Sequence, residues 1–205
     1  HGVVTYLPIW DGGAYFSCLL DGLNSEFTFN SFNCYGHISI GYIGLMAFLT
    51  HGQVYLIHII NLGLLLLGAY YFVKFLAIVT GENRFSPLDL KLIFLLFIWN
   101  PLLLSNSFNL GLDFPIAILL LAATVNIFFK NYITAFCFGL ILIFTKETGA
   151  LCYLVLIILL LIELYFSKTK AHRIKTIAIL SIPVVFYGVY LFFFIKSVEV
   201  AAWVL

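Results

Sequence analysis

Long apolar runs decide what this chain can become. Stretches such as Leu88 to Leu104 and Ala150 to Phe166 lack the polar face that a soluble amphipathic helix needs, so lipid has to cover them. Of the 205 residues, 63% are hydrophobic and 9% charged. Soluble domains carry roughly 25% charged residues, which excludes a soluble globular fold. The fold class is all-α: a polytopic helical membrane protein surrounded by membrane lipids. A net charge of +1 and no basic tract argue against a nucleic-acid partner.

Six runs set an expectation of about six spanning helices: Val54–Val79, Leu90–Leu104, Phe114–Phe129, Tyr132–Phe144, Ala150–Phe166 and Ile177–Ile195. Ahead of them, His1 to Gly36 mixes Gly, Asn, Ser and aromatics with the acids Asp11, Asp21 and Glu26, and contains no Lys or Arg. It reads as an ordered extramembrane loop with a short helix through Ala14–Leu20. Gly36 to Thr50 is apolar but shorter than the roughly 20 residues a spanning helix needs, so it lies along the interface, re-enters or crosses. The division that follows is an outer loop with juxtamembrane helices over 1–53 and a helix bundle over 54–205. An upstream helix and further C-terminal helices are expected outside this sequence.

Orientation follows from Lys and Arg in short connections. Ser167 to Lys175 is the most basic of these and belongs on the cytoplasmic side. Counting back, Thr145 to Gly149 is outside, Lys130-Asn131 inside, Ser105 to Asp113 outside, and the connection holding Arg84 and Lys91 inside. If Gly36–Thr50 does not cross, His1 to Gln53 is outside as well; if it crosses, Asp11 moves to the cytoplasmic side.

In the non-crossing topology one face gathers Asp11, Asp21, Glu26, His37, Asp113, Lys146 and Glu147. A carboxylate with a second carboxylate or a His can act as general base or hold a divalent cation such as Mg or Mn. A Lys at the same depth can neutralise a phosphate. Each residue also has a plainer role. Asp11 before Gly12-Gly13 is turn chemistry, and His37 can anchor an interfacial helix. Asp113 before Phe114-Pro115 reads as a helix N-cap. Lys146 and Glu147 can pair with each other, although ionisable groups between apolar runs are costly enough to suggest function. His58 and Asn61, about one turn apart, suit interhelical hydrogen bonds. Cys137 and Cys152 read as small core residues, whereas Cys18 and Cys34 can pair if their loop faces an oxidising space.

The order of these features resembles the GT-C type membrane glycosyltransferases that use polyprenyl-phosphate sugars, among them protein O-mannosyltransferases and lipid A aminoarabinose transferases. Trp10-Asp11-Gly12-Gly13-Ala14-Tyr15 resembles the acid of their first outer loop, and Gly36-His37-Ile38-Ser39-Ile40-Gly41-Tyr42 their juxtamembrane segment. Gly111-Leu112-Asp113-Phe114-Pro115 and Thr145-Lys146-Glu147-Thr148-Gly149 resemble the later outer-loop Asp and Lys. The likeness runs from about Ile9 to Leu160. The chain departs at Gly12, where many members carry Glu, and at Ile38-Ser39, where prolines are usual.

The resemblance implies an inverting glycosyltransferase of a GT-C-like module, in a bacterial cytoplasmic membrane, with its active site on the outer face. Asp11 would be the base that activates an acceptor hydroxyl on a lipid or protein. Lys146, with His37 and Glu147, would contact the phosphate of the polyprenyl-phosphate sugar donor. Asp113 would help form a metal or donor site. It also implies that the juxtamembrane segment does not cross. Two rivals are a lipid-linked sugar transporter or flippase, which needs a polar pathway through the helices, and a non-catalytic assembly subunit.

Overall fold

The structure is a computed structural model, and it describes residues 11–25, 33–34, 37–81, 85–166 and 170–194. The side chains of Asp11, Asn33, His37, Ile38, residues 170–173 and residues 192–194 lie outside the description.

An N-terminal unit precedes the bundle. Helix α1 (Asp11–Asn24) is followed by a two-residue hairpin, β1 (Asn33–Cys34) paired antiparallel with β2 (His37–Ile38). A π-helical turn (Ile40–Gly44) then runs directly into α2 (Leu45–Thr50). The bundle comprises α3 (Val54–Thr80), α4 (Pro87–Ile98), α5 (Pro101–Ser107), α6 (Asp113–Phe128), α7 (Tyr132–Ile143), α8 (Glu147–Phe166) and α9 (Lys170–Phe194). Apart from the hairpin, every regular element among the described residues is helical.

Helix α1 is longer than the Ala14–Leu20 helix expected from sequence, and it is amphipathic. Gly12, Tyr15, Leu19 and Gly22 fall on one stripe at helical spacing and are buried, while Ser17, Leu20 and Asp21 face outward. Cys18 on α1 is disulfide-bonded to Cys34 on β1, with Cα atoms 5.8 Å apart, so the helix is tied to the hairpin that carries His37. The bond is consistent with an oxidising surrounding for this end of the protein.

Three helices are long and apolar enough to cross a membrane: α3, α8, and α9 over Ile174–Leu191. A fourth crossing is possible if α4 and α5 count as one span. They meet at a 56° bend, where the sequence suggested an unbroken run over Leu90–Leu104. The bend has a local cause. Asn100 caps α5, its Oδ1 accepting from the backbone N–H groups of Leu102 (3.0 Å) and Leu103 (3.3 Å), and Pro101 occupies the first helical position. Ser86 starts α4 in the same way: its hydroxyl caps Asp89 N–H while the Asp89 carboxylate accepts from Ser86 N–H at 2.9 Å.

Helices α6 and α7 have 16 and 12 residues. At about 1.5 Å per residue they rise roughly 24 and 18 Å, less than a ~30 Å hydrocarbon core. Instead of facing lipid all round, α6 is the inner element of the bundle, packed against α3 and α7. Phe114, Ile118, Leu119, Ala122, Ala123 and Val125 are all buried along it. Leu65 of α3 packs with Phe114 and Ile118, and Tyr71 with Ala122 and Val125, so α3 and α6 run parallel. The three-residue connection 129–131 makes α7 antiparallel to α6. The starts of α3, α6 and α8 therefore share one end of the bundle, and the starts of α4, α7 and α9 share the other.

The segment Ile40–Thr50 is also too short to cross by length. Tyr42, Ile43, Met46 and Ala47 pack into the main core beside Leu142 and Ile143 of α7. Cys137, expected in the core, is exposed on α7, and Cys152 is half-buried on α8.

Candidate functional site

The end of the bundle where α7 gives way to α8 is held mainly by backbone. A helix terminus leaves its last carbonyls without intrahelical partners, and burying them unpaired is costly. Here the carbonyls of residues 140, 141, 142 and 144 each receive a donor. Phe144 N–H reaches Leu140 O (3.3 Å), Thr145 Oγ1 donates to Ile141 O (2.6 Å), and Thr145 N–H donates to Leu142 O (3.2 Å). Gly41 N–H, from the π-helical turn, donates to Phe144 O at 2.7 Å. Gly41 has to be glycine for this contact: a Cβ would overlap the carbonyls of Ile141 and Phe144. Gly149 does the same across the α7–α8 hairpin, where a Cβ would run into Leu142 O.

Lys146 follows immediately, between α7 and α8. Its backbone carbonyl accepts from Ala150 N–H at 3.2 Å, so it stands at the cap position of α8. Its ammonium reaches Asp113, the first residue of α6, at 3.4 Å across 33 residues of sequence. Lys146 is mostly enclosed, its side chain 23% exposed, whereas Asp113 is 88% exposed. An ion pair this open is worth about 0–1 kcal/mol, so its contribution to stability is minor. What it does is hold a cation at the junction of two helix N-termini, both of which carry partial positive charge. One donor of the ammonium is directed at Asp113, and among the described residues it has no second hydrogen-bond partner.

Asp113 is not the N-cap expected from sequence. Helix α6 already includes it, Leu112 occupies the cap position without a side-chain bond, and Pro115 falls at the third helical position. The carboxylate is thereby released from capping and turned to Lys146. The Lys146–Glu147 self-pairing considered from sequence gives way to this longer-range pair. Glu147 opens α8.

Asp11 is the first residue of α1, and His37 is the first residue of β2, opposite Cys34. Their side chains lie outside the described residues. Backbone links their elements to this end. The disulfide joins α1 to the hairpin, β2 leads into the π-helical turn two residues later, and that turn is bonded to Phe144, two residues before Lys146. No group of three His, Cys, Asp or Glu suited to a metal is found among the described residues. Asp113 is a single carboxylate whose neighbour is a cation, which does not by itself fit a divalent-ion cradle.

A second polar group, not foreseen as a unit from sequence, supports the same end. Tyr42 donates to Asn61 Oδ1, and Asn61 Nδ2 donates to Asn109 O at 3.2 Å, joining the π-helical turn, α3 and the strand of chain leading to Asp113. Burial holds the Tyr42 hydroxyl well above the usual tyrosine range, and the bond to Asn61 only partly opposes this. Tyr42 is therefore a neutral donor, which orients the Asn61 amide. His58, one turn before Asn61, stacks on Phe108 with ring centres 5.9 Å apart; its Nδ1 and the Asn109 Oδ1 are buried without hydrogen-bond partners. The sequence marks only one member, an Asn within an apolar run; in the structure Asn61 is at 0% exposure and is satisfied by two other segments.

Compared with family models, curated proteins and solved structures, the chain matches none.

Proposed function

We propose that this chain is part of a GT-C type glycosyltransferase that moves a sugar from a polyprenyl phosphate to a lipid or protein acceptor on the extracytoplasmic face. The observation that carries the reading is the meeting of Lys146 and Asp113, 33 residues apart in sequence, at the bundle end that also receives the His37 hairpin. In this reading about six helices, including the short α6 and α7, cross or enter the membrane, and Ile40–Thr50 lies on it.

Asp11 takes the proton of an acceptor hydroxyl as that oxygen attacks the anomeric carbon. The bond from carbon to phosphate oxygen breaks with inversion, and the polyprenyl phosphate leaves with the electron pair. Lys146 stabilises the charge that develops on the leaving phosphate. Asp113 holds the Lys146 ammonium in place, and His37 and Glu147 flank the phosphate. The transporter reading draws less support: buried Asn61 and Asn126 are spent on local bonds, to Tyr42 and Asn109 and to Ala122 O respectively, and do not form a pathway.

The test is transfer from a polyprenyl-phosphate sugar by reconstituted full-length protein. Asp11→Asn should lower the rate about 10²–10⁴-fold, the range of general-base catalysis, with membrane insertion unchanged. Retained transfer would sink the assignment.

A further inference from the structure

We infer that the groove between α3 and α4 binds one acyl chain of an anionic phospholipid, with Lys91 holding the headgroup. This site lies at the bundle end opposite Lys146 and does not rest on the transferase reading. The groove has a volume of about 430 Å³ and is lined by Tyr70, Val73, Leu90, Lys91, Phe94 and Leu95. Such a volume falls within the ~300–1,000 Å³ of small-molecule sites. Apart from the Lys91 ammonium and the Tyr70 hydroxyl, its side chains are entirely carbon. Tyr70 and Leu95 are 47% and 48% exposed, so the groove opens sideways, toward the hydrocarbon of a surrounding bilayer. An alkyl chain laid in it removes apolar surface from both partners and leaves no polar group unpaired.

The charge at the mouth selects the headgroup. Lys91 forms no ion pair among the described residues. Lys74, on α3, sits over the Tyr70 ring at 4.5 Å and the Phe129 ring at 5.0 Å, and Lys130 follows at the end of α6. The nearest described acid, Asp89, turns its carboxylate to the backbone N–H and hydroxyl of Ser86, at 2.9 and 2.8 Å. Positive charge at the edge of an apolar groove complements a phosphate-bearing headgroup with net negative charge. A choline headgroup, whose own cation lies outermost, gains less. In the orientation that the basic connections imply, this end meets the cytoplasmic leaflet, where anionic lipids concentrate.

The experiment extracts the full-length protein from vesicles of equal phosphatidylglycerol and phosphatidylcholine and counts retained lipids by native mass spectrometry. Phosphatidylglycerol should be retained in preference. Lys91→Gln should cut that preference roughly five-fold, in line with the contribution of one basic residue at the membrane surface, and Lys91→Arg should restore it. Val73→Trp, which fills the groove, should abolish retention of either lipid. Equal retention of the two lipids by the unaltered protein overturns the inference, as does a preference that survives Lys91→Gln. A photocrosslinker attached at Val73→Cys that captures protein instead of lipid also overturns it.

Discussion

At the Lys146 end of the bundle, backbone meets backbone: the Gly41 N–H is bonded to the Phe144 carbonyl and Gly149 lies against the Leu142 carbonyl. At the opposite end, α4 buries none of its residues, and Leu88, Leu92, Leu95 and Leu96 face outward. Both regions are apolar, yet the first brings backbone against backbone while the second leaves helix faces outward. Lipid can cover a loose helix face as well as protein can, so hydrophobicity alone does not locate side chains in a membrane. Close approach and satisfied carbonyls do, and they occur beside a Lys–Asp pair that links distant parts of the chain.

If that contrast is right, the costliest substitutions cluster at the Lys146 end. Gly41→Val should destabilise the protein by about 3 kcal/mol or more, because backbone carbonyls cannot yield as a side chain does. Leu88→Ala, at a 65% exposed position of α4, should change stability by only about 0.5 kcal/mol or less. Thermal unfolding in detergent compares the two. Equal effects would erase the distinction between the regions.

Loss of the Cys18–Cys34 bond, by reduction or by replacing both residues with Ser, should come next. A cross-link closing a loop of this size contributes about 3 kcal/mol, here to the N-terminal unit, so the readout is protease cleavage within residues 11–53. Helix α9 should be cut no faster than before. Tyr42→Phe should cost about 1–2 kcal/mol by leaving the Asn61 Oδ1 buried without its donor. Unfolding of Asn61→Leu and of the double variant would show whether the two residues act as one unit.

Much of the outline was legible in sequence. The run Val54–Val79 matches α3 closely, and counting short connections put Asp113 and Lys146 at one end, as the structure does. Hydropathy counting failed where capping chemistry overrode it: Leu90–Leu104 reads as one apolar run, but Asn100-Pro101 starts a new helix inside it. It also read α6 and α7 as spanning runs, and at 16 and 12 residues they are shorter than the roughly 20 of a straight span. Asp113 was misread as a cap because Phe114-Pro115 suggested a start one residue later than the real one. Cys137 was placed in the core because an apolar helix in lipid has no polar face to mark which side is out. The Tyr42–Asn61–Asn109 network depends on chain segments up to 48 residues apart, which no local pattern encodes.

The smallest effect on stability belongs to the residue assigned the largest role. Lys146→Gln should change unfolding by less than about 1 kcal/mol, since its partner is exposed. It should nevertheless weaken binding of a polyprenyl phosphate by roughly ten-fold or more, the scale of a charge-assisted hydrogen bond. A large stability loss without a binding loss would make the pair structural.

The most direct test of the single-face arrangement is labelling with a membrane-impermeant maleimide in sealed vesicles, after Cys137 and Cys152 are replaced by Ala. Cysteines introduced singly as Asp11→Cys, Asp113→Cys and Lys146→Cys should all react from the same side, and Lys130→Cys from the other. Labelling of Asp11→Cys from the side of Lys130→Cys would contradict a common site and remove Asp11 from it.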